Sequence, residues 1–147
     1  MQHARGKARD VVARAGVPAG GAVLAADTEV VLDGRALGKP ASPDGARSML
    51  SSLSGRTHQV MTGVVLVTEQ GQREALESAD VRFRPIDDSL MDWYVSRGEW
   101  QGRAGGYAIQ GAGAALVDEV RGDPSTIIGL PMARVAEMLA AEDLFPA

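Results

Sequence analysis

The chain has no cysteine, which excludes a disulfide framework and any thiolate metal site. Its two histidines, His3 and His58, lie far apart in sequence, so a zinc enzyme is not expected; a metal here would be a hard cation on carboxylates. Charge of one sign is also scarce. A net charge of −4 over 147 residues leaves no basic face of the kind that broad nucleic-acid binding needs. No apolar run approaches the roughly 18 residues of a membrane span, and Met1-Gln2-His3-Ala4-Arg5 leads into no signal-peptide core, so the cytoplasm is the expected compartment. Aromatics make up only 4% of the chain, and Trp93 and Trp100, without a basic stripe, read as packing residues rather than base-stacking platforms. What is present, 45% hydrophobic residues in a chain of common domain size, suffices for one domain over residues 1–147 with a real core.

The most informative stretch is residues 26–40, which set an acid, a hydroxyl and a lysine around one tight turn after an apolar run. Residues 21–26 have the length and apolarity of a strand buried on both faces, ending at Asp27 and Thr28, where such strands present ligand groups. Val30-Val31-Leu32 and Ala36-Leu37 flank Asp33-Gly34, a dipeptide that tolerates the positive φ of a two-residue hairpin turn. The chain should double back there and bring Lys39 toward Asp27, with Pro40 holding Lys39 extended.

Further on, Ser42-Pro43 reads as the N-cap and first residue of a helix carrying Ala46, Met49, Leu50 and Leu53, which Ser54-Gly55 stops. Residues 57–67 read as a strand, Ala75 to Arg84 as its partner, and Asp87-Asp88 as the cap of a short helix through Arg97 that Gly98 ends. Residues 105–117 invite two nucleotide motifs and satisfy neither. Gly106 and Gly111 have the Walker spacing, but Ala112 and Gly113 stand where Lys and Ser or Thr belong; Gly111-x-Gly113 runs on to Leu116, where the dinucleotide fingerprint needs glycine. What remains is an expected glycine-flanked strand on which Gln110 alone can read a ligand by paired hydrogen bonds. Residues 121–126 read as a loop, and Gly129-Leu130-Pro131 opens a last helix with Met132, Val135, Ala136 and Leu139 on one face. His58 is expected to hydrogen-bond within the sheet, and Glu29, Asp33, Asp118, Glu119 and Asp123 to be surface or turn acids.

Ala26-Asp27-Thr28, Leu37-Gly38-Lys39-Pro40, residues 53–58, Thr62-Gly63-Val64, residues 106–111 and Ile128-Gly129-Leu130-Pro131 together resemble the Maf family, also called septum formation inhibitor proteins. The six blocks come in the right order, and the resemblance runs from about Arg5 to Leu139. It implies an α/β fold, similar to that of inosine triphosphatases, with an elongated mixed β-sheet flanked by helices and two lobes around a nucleotide cleft. It also implies a homodimer and a nucleoside triphosphate pyrophosphatase that uses a divalent metal, Mg²⁺ or Mn²⁺. Asp27 matches the family's proton acceptor, Lys7 the lysine of its early helix, and Lys39 the lysine of its Gly-Lys-Pro turn. Thr28 together with Gln110 resembles the branch acting on dTTP and UTP. The family begins with a strand and a Ser-x-Ser-Pro-Arg-Arg loop that grips phosphates, followed by an acidic residue that helps hold the metal. This chain starts downstream of them, so the expectation is a truncated Maf-like domain that folds, leaves a sheet edge open, binds nucleotide weakly and self-associates.

The chemistry agrees with the resemblance. Cleaving an α–β phosphoanhydride needs an aligned water, cations on the phosphate oxygens and an acceptor for the water's proton. Asp27 can be that acceptor and can share a metal with the phosphates, while Lys7 and Lys39 neutralise the triphosphate. Thr28 and Gln110 suit the imide edge of uracil or thymine, where an N–H lies between two carbonyls. Two functions compete: hydrolysis of dTTP or UTP to the monophosphate and pyrophosphate, and a nucleotide-binding or interaction protein that kept the base pocket without turnover.

Overall fold

The computed structural model describes residues 1–145. Helix α1, Gln2–Ala15, carries Ala4 and Ala8 one turn apart, and these small side chains let it lie flat on Ala25 and Val65 of the sheet. Strand β1, Val23–Leu32, turns at Asp33 and Gly34 into β2, Arg35–Leu37. Both turn residues have positive φ, 50° and 76°, and Leu32 pairs with Arg35, as a two-residue primed hairpin requires. Helix α2, Pro43–Leu53, starts as expected: the Ser42 hydroxyl accepts from the Gly45 amide at 3.0 Å, a cap that contributes about 1 kcal/mol.

Strand β3, Thr57–Thr68, runs antiparallel to β1 along residues 23–31 and pairs on its other side with β4, Gly71–Phe83. After α3, Asp88–Ser96, capped by Asp87, the chain returns as β5, Val117–Arg121, α4, Pro124–Ile128, and α5, Met132–Ala140. The sheet order is β2-β1-β3-β4-β5. Period-two alternation divides its faces. One face carries Val30, Leu32, Val60, Val81 and Phe83 into the main core with α2 and α3, and Val64 and Leu66 against Val135 and Met138 of α5. The opposite face holds α1.

Helices flank the sheet as an α/β fold demands, but among the described residues all four strand pairings are antiparallel, where a mixed sheet was expected. The first strand also differs. It does not end at Asp27; it runs through Asp27 and Thr28 to Leu32, and Leu24 is 38% exposed rather than buried on both faces. The reason is that β2 pairs with β1 only at Val30–Leu32, so among the described residues the outer edge of β1 from Val23 to Glu29 has no partner strand. Strand β4 begins at Gly71, four positions before the expected Ala75, continuing the β3 ladder to Thr68↔Gly71.

Residues 105–116, expected as part of a strand over 105–117, are not one. They form two 3-10 turns, Ala104–Gly106 and Ala112–Leu116, joined by Tyr107 to Gly111. The cause is a close approach: a Cβ on Gly113 would lie 2.3 Å from the Ala108 carbonyl oxygen, so the segment folds onto itself in a way only glycine permits. The expected loop at residues 121–126 contains the start of α4, with Asp123 accepting from the Ser125 amide and Pro124 at the first helical position.

Candidate functional site

Because side chains alternate along β1, Asp27 and Glu29 face α1 while Thr28 and Val30 face the core. On α1, His3 and Lys7 are one turn apart and share a side. The two periodicities meet at Asp27. Lys7 Nζ donates to Asp27 Oδ1 at 2.7 Å and to the Ala26 carbonyl at 2.9 Å. His3 Nδ1 lies 3.3 Å from Asp27 Oδ2 and 3.9 Å from Glu29 Oε1. Burial alone would push the Asp27 carboxyl up; the Lys7 hydrogen bond and charge, with a smaller contribution from His3, outweigh it and hold the group below the ordinary carboxylate range. Asp27 is therefore ionised at neutral pH.

On the core side, Thr28 Oγ1 lies 2.8 Å from Thr62 Oγ1, its partner across the β1–β3 ladder, and Thr62 Oγ1 donates to the Thr126 carbonyl of α4 at 2.7 Å. A hydroxyl has one hydrogen. That of Thr62 goes to a carbonyl, which can only accept, so the Thr28 hydroxyl must donate to Thr62. Thr28 is left with lone pairs only for anything beside it.

What lies beside it is a cavity of about 210 Å³ lined by Asp27, Thr28, Lys39, Arg103, Tyr107 and Gln110, among others. Its far wall, residues 104–110, is fastened at three points: the Gly105 amide donates to Gly38 O at 3.1 Å, Tyr94 Oη donates to Gly106 O at 2.8 Å, and Tyr107 Oη pairs with His58 Nε2 at 2.6 Å. His58 is buried, with Phe83 and Tyr107 edge-on to its ring and Nδ1 without a partner, and that burial pushes its pKa down to about 4. It is a neutral strut whose partner, Tyr107, lies outside the sheet in which its hydrogen bond was expected. Trp100 is likewise a packing residue, its Nε1 donating to Val95 O at 3.0 Å.

A second, open groove runs along α1 and is lined by His3, Arg5, Lys7, Arg9 and Asp27. Asp27 is common to both spaces. Thr28, Lys39 and Gln110 thus share one cavity with Asp27, while Lys7 approaches Asp27 from the groove. The hairpin brings Lys39 to the cavity wall, yet Lys7, not Lys39, pairs with Asp27; Lys39 makes no ion pair among the described residues. Gln110 lies on an irregular turn, exposed at the cavity, rather than on a strand. Reading by residue type passed over His3, Glu29, Arg103 and Thr62. The signal for two of them was present: Glu29 is two residues from Asp27 on a strand, and His3 four from Lys7 on a helix. Glu29 is neither a turn acid nor remote from the site; Asp33, Asp118 and Glu119 are surface acids in ion pairs with Arg56, Arg82 and Arg121.

Among the described residues no helix is long and apolar enough to cross a membrane. The chain is 44% identical over 117 residues to a dTTP/UTP pyrophosphatase of Pyrococcus furiosus, covering 80% of this chain and 62% of that protein. It is 48% identical over 120 residues to one of Symbiobacterium thermophilum, covering 82% and 62%, and 47% identical over 140 residues to one of Halalkalibacterium halodurans, covering 95% and 72%. It thus spans about 62% of the length of the first two. The model of the family described as Maf-like protein matches residues 1–142, and the chain belongs to that family.

Proposed function

We propose that this cleft hydrolyses dTTP or UTP to the monophosphate and pyrophosphate. The observation that carries the reading is the place of Asp27, an ionised carboxylate at the junction of a partly open cavity and an open groove lined by cations. A nucleotide with its base beside Thr28 and Gln110 and its phosphates toward Lys7, Arg9 and Lys39 has its α-phosphate near Asp27. The lone pairs of Thr28 accept the imide N–H of uracil or thymine, and the Gln110 amide donates to a flanking carbonyl. The names of the relatives agree with this base class.

In the reaction a water oxygen bonds to the α-phosphorus, the bond to the α–β bridging oxygen breaks, and its electron pair leaves with pyrophosphate. Asp27 takes the water's proton, and Lys7 and Lys39 hold negative charge on the phosphates. Asp27 Oδ2, the oxygen not taken by Lys7, fits a hard divalent cation; Mg²⁺ or Mn²⁺ bound there would supply charge to the phosphate oxygens and lower the pKa of a bound water. The open edge of β1 and exposed Leu24 support association with a second copy, and the substrate class supports work in the cytoplasm. One observation favours the reading as a nucleotide binder without turnover: a carboxylate held this low by Lys7 is a weaker base than one near neutrality. Steady-state kinetics on the four ribonucleotides and dTTP decide. Higher kcat/KM for UTP and dTTP than for GTP and ATP is expected, and equal values would remove the reading.

A further inference from the structure

The chemistry of the groove side of Asp27 goes beyond a hard-cation site. His3 Nδ1, Asp27 Oδ2 and Glu29 Oε1 converge from α1 and β1, and one ligand atom from each residue lies within 4.8 Å of the others. Donors about 2.1 Å from a common ion sit about 3.0 Å apart at right angles and about 3.4 Å apart in a tetrahedron. The observed gaps of 3.3 and 3.9 Å are close to that spacing, and half-exposed Glu29 can narrow the wider one by a side-chain torsion. The arrangement is also sorted by oxygen. Lys7 holds Oδ1 of Asp27 and leaves Oδ2 facing the imidazole, so an ion can enter without displacing the lysine.

We propose that His3, Asp27 and Glu29 form a binding site for a borderline divalent transition-metal ion, Co²⁺ or Zn²⁺, selected over Mg²⁺. The imidazole sets the selectivity, since a nitrogen donor suits these ions and Mg²⁺ keeps to oxygen ligands and water. The site goes beyond the hard cation of the pyrophosphatase reading, and it is tested without nucleotide, so that its failure and the failure of that reading are separable.

The test is Co²⁺ titration of Met1–Ala147 followed by calorimetry and by the visible Co²⁺ absorption bands. One ion per chain is expected, with bands that millimolar Mg²⁺ leaves in place. His3→Ala and Glu29→Gln should each weaken Co²⁺ binding by about tenfold or more, and Asp118→Asn, on the far strand, should not. The His3 and Glu29 side chains are 72% and 45% exposed, so neither change threatens folding. Glu29→Gln is the decisive arm, because an ion held by the amino-terminal segment alone would ignore it. Unchanged Co²⁺ affinity in that variant, or displacement of Co²⁺ by an equal concentration of Mg²⁺, overturns the proposal.

Discussion

Replacing Thr62 by valine keeps the shape of a fully buried side chain and removes one oxygen, the one that joins Thr28 to Thr126. Two hydrogen bonds of 2.8 and 2.7 Å disappear together. The carbonyl of Thr126, whose residue is itself buried, is left without its hydroxyl partner, a loss that costs about 1–3 kcal/mol. For a chain of this size that is a fall in Tm of roughly 3–10 °C. The consequence for recognition is separate and sharper. In the wild type Thr28 can only accept, so on the proposed reading it would pair with the N–H of uracil and set lone pair against lone pair with the acceptor nitrogen of cytosine. Without Thr62 the Thr28 hydroxyl turns freely and donates as readily as it accepts. Discrimination carried by an unpaired polar group is about 1–3 kcal/mol, so preference for UTP over CTP should shrink by roughly five- to 150-fold. Calorimetry with non-hydrolysable α,β-imido analogues of UTP and CTP measures the ratio whether or not a variant turns over. A variant that melts earlier but keeps the wild-type ratio would show that the threonine relay is only structural.

Lys7→Ala removes the cation that holds Asp27 low, so the carboxyl rises toward its ordinary value and the acid limb of the kcat/KM profile moves to higher pH. A pH–rate profile whose acid limb stays put would detach Lys7 from Asp27. His58 is neutral in the fold with a pKa of about 4 against about 6.5 unfolded, so the unfolded chain binds the extra proton and stability falls as pH drops from 6.5 to 4, by roughly 3 kcal/mol for this group. His58→Gln, which keeps a partner for Tyr107 but does not titrate, should lack that component. Denaturant melts of both chains across this range give the difference curve, and parallel curves would refute it.

Features set by neighbours in sequence were legible. Asp33-Gly34 specifies its hairpin through backbone φ, and Ser42-Pro43 specifies the start of α2 through a cap, with no help from the rest of the fold. Residues 105–117 were not, because their path depends on contacts with distant chain: the Gly105 amide on Gly38, Tyr94 on Gly106, and His58 on Tyr107. The same division runs through the site. Asp27, Thr28 and Lys39 belong to one hairpin and could be read together. Thr62 enters only through the β1–β3 register, and His3 and Glu29 only once α1 is docked on the Asp27 side of β1. A strand expected to end at Asp27 hid Glu29, since a residue past the end of a strand has no fixed face.

If Asp27 takes the proton of a water attacking the α-phosphate of a pyrimidine nucleotide, replacing it must all but stop release of the monophosphate. The most direct test is ³¹P NMR of UTP incubated with the wild-type chain and with Asp27→Asn, in the presence of Mg²⁺ or Mn²⁺. UMP and pyrophosphate should accumulate together with the wild type, and the asparagine form, which cannot take the proton, should be slower by about 10²–10⁴. Release of UDP and inorganic phosphate, or an Asp27→Asn rate within about a tenth of wild type, would contradict this role of Asp27.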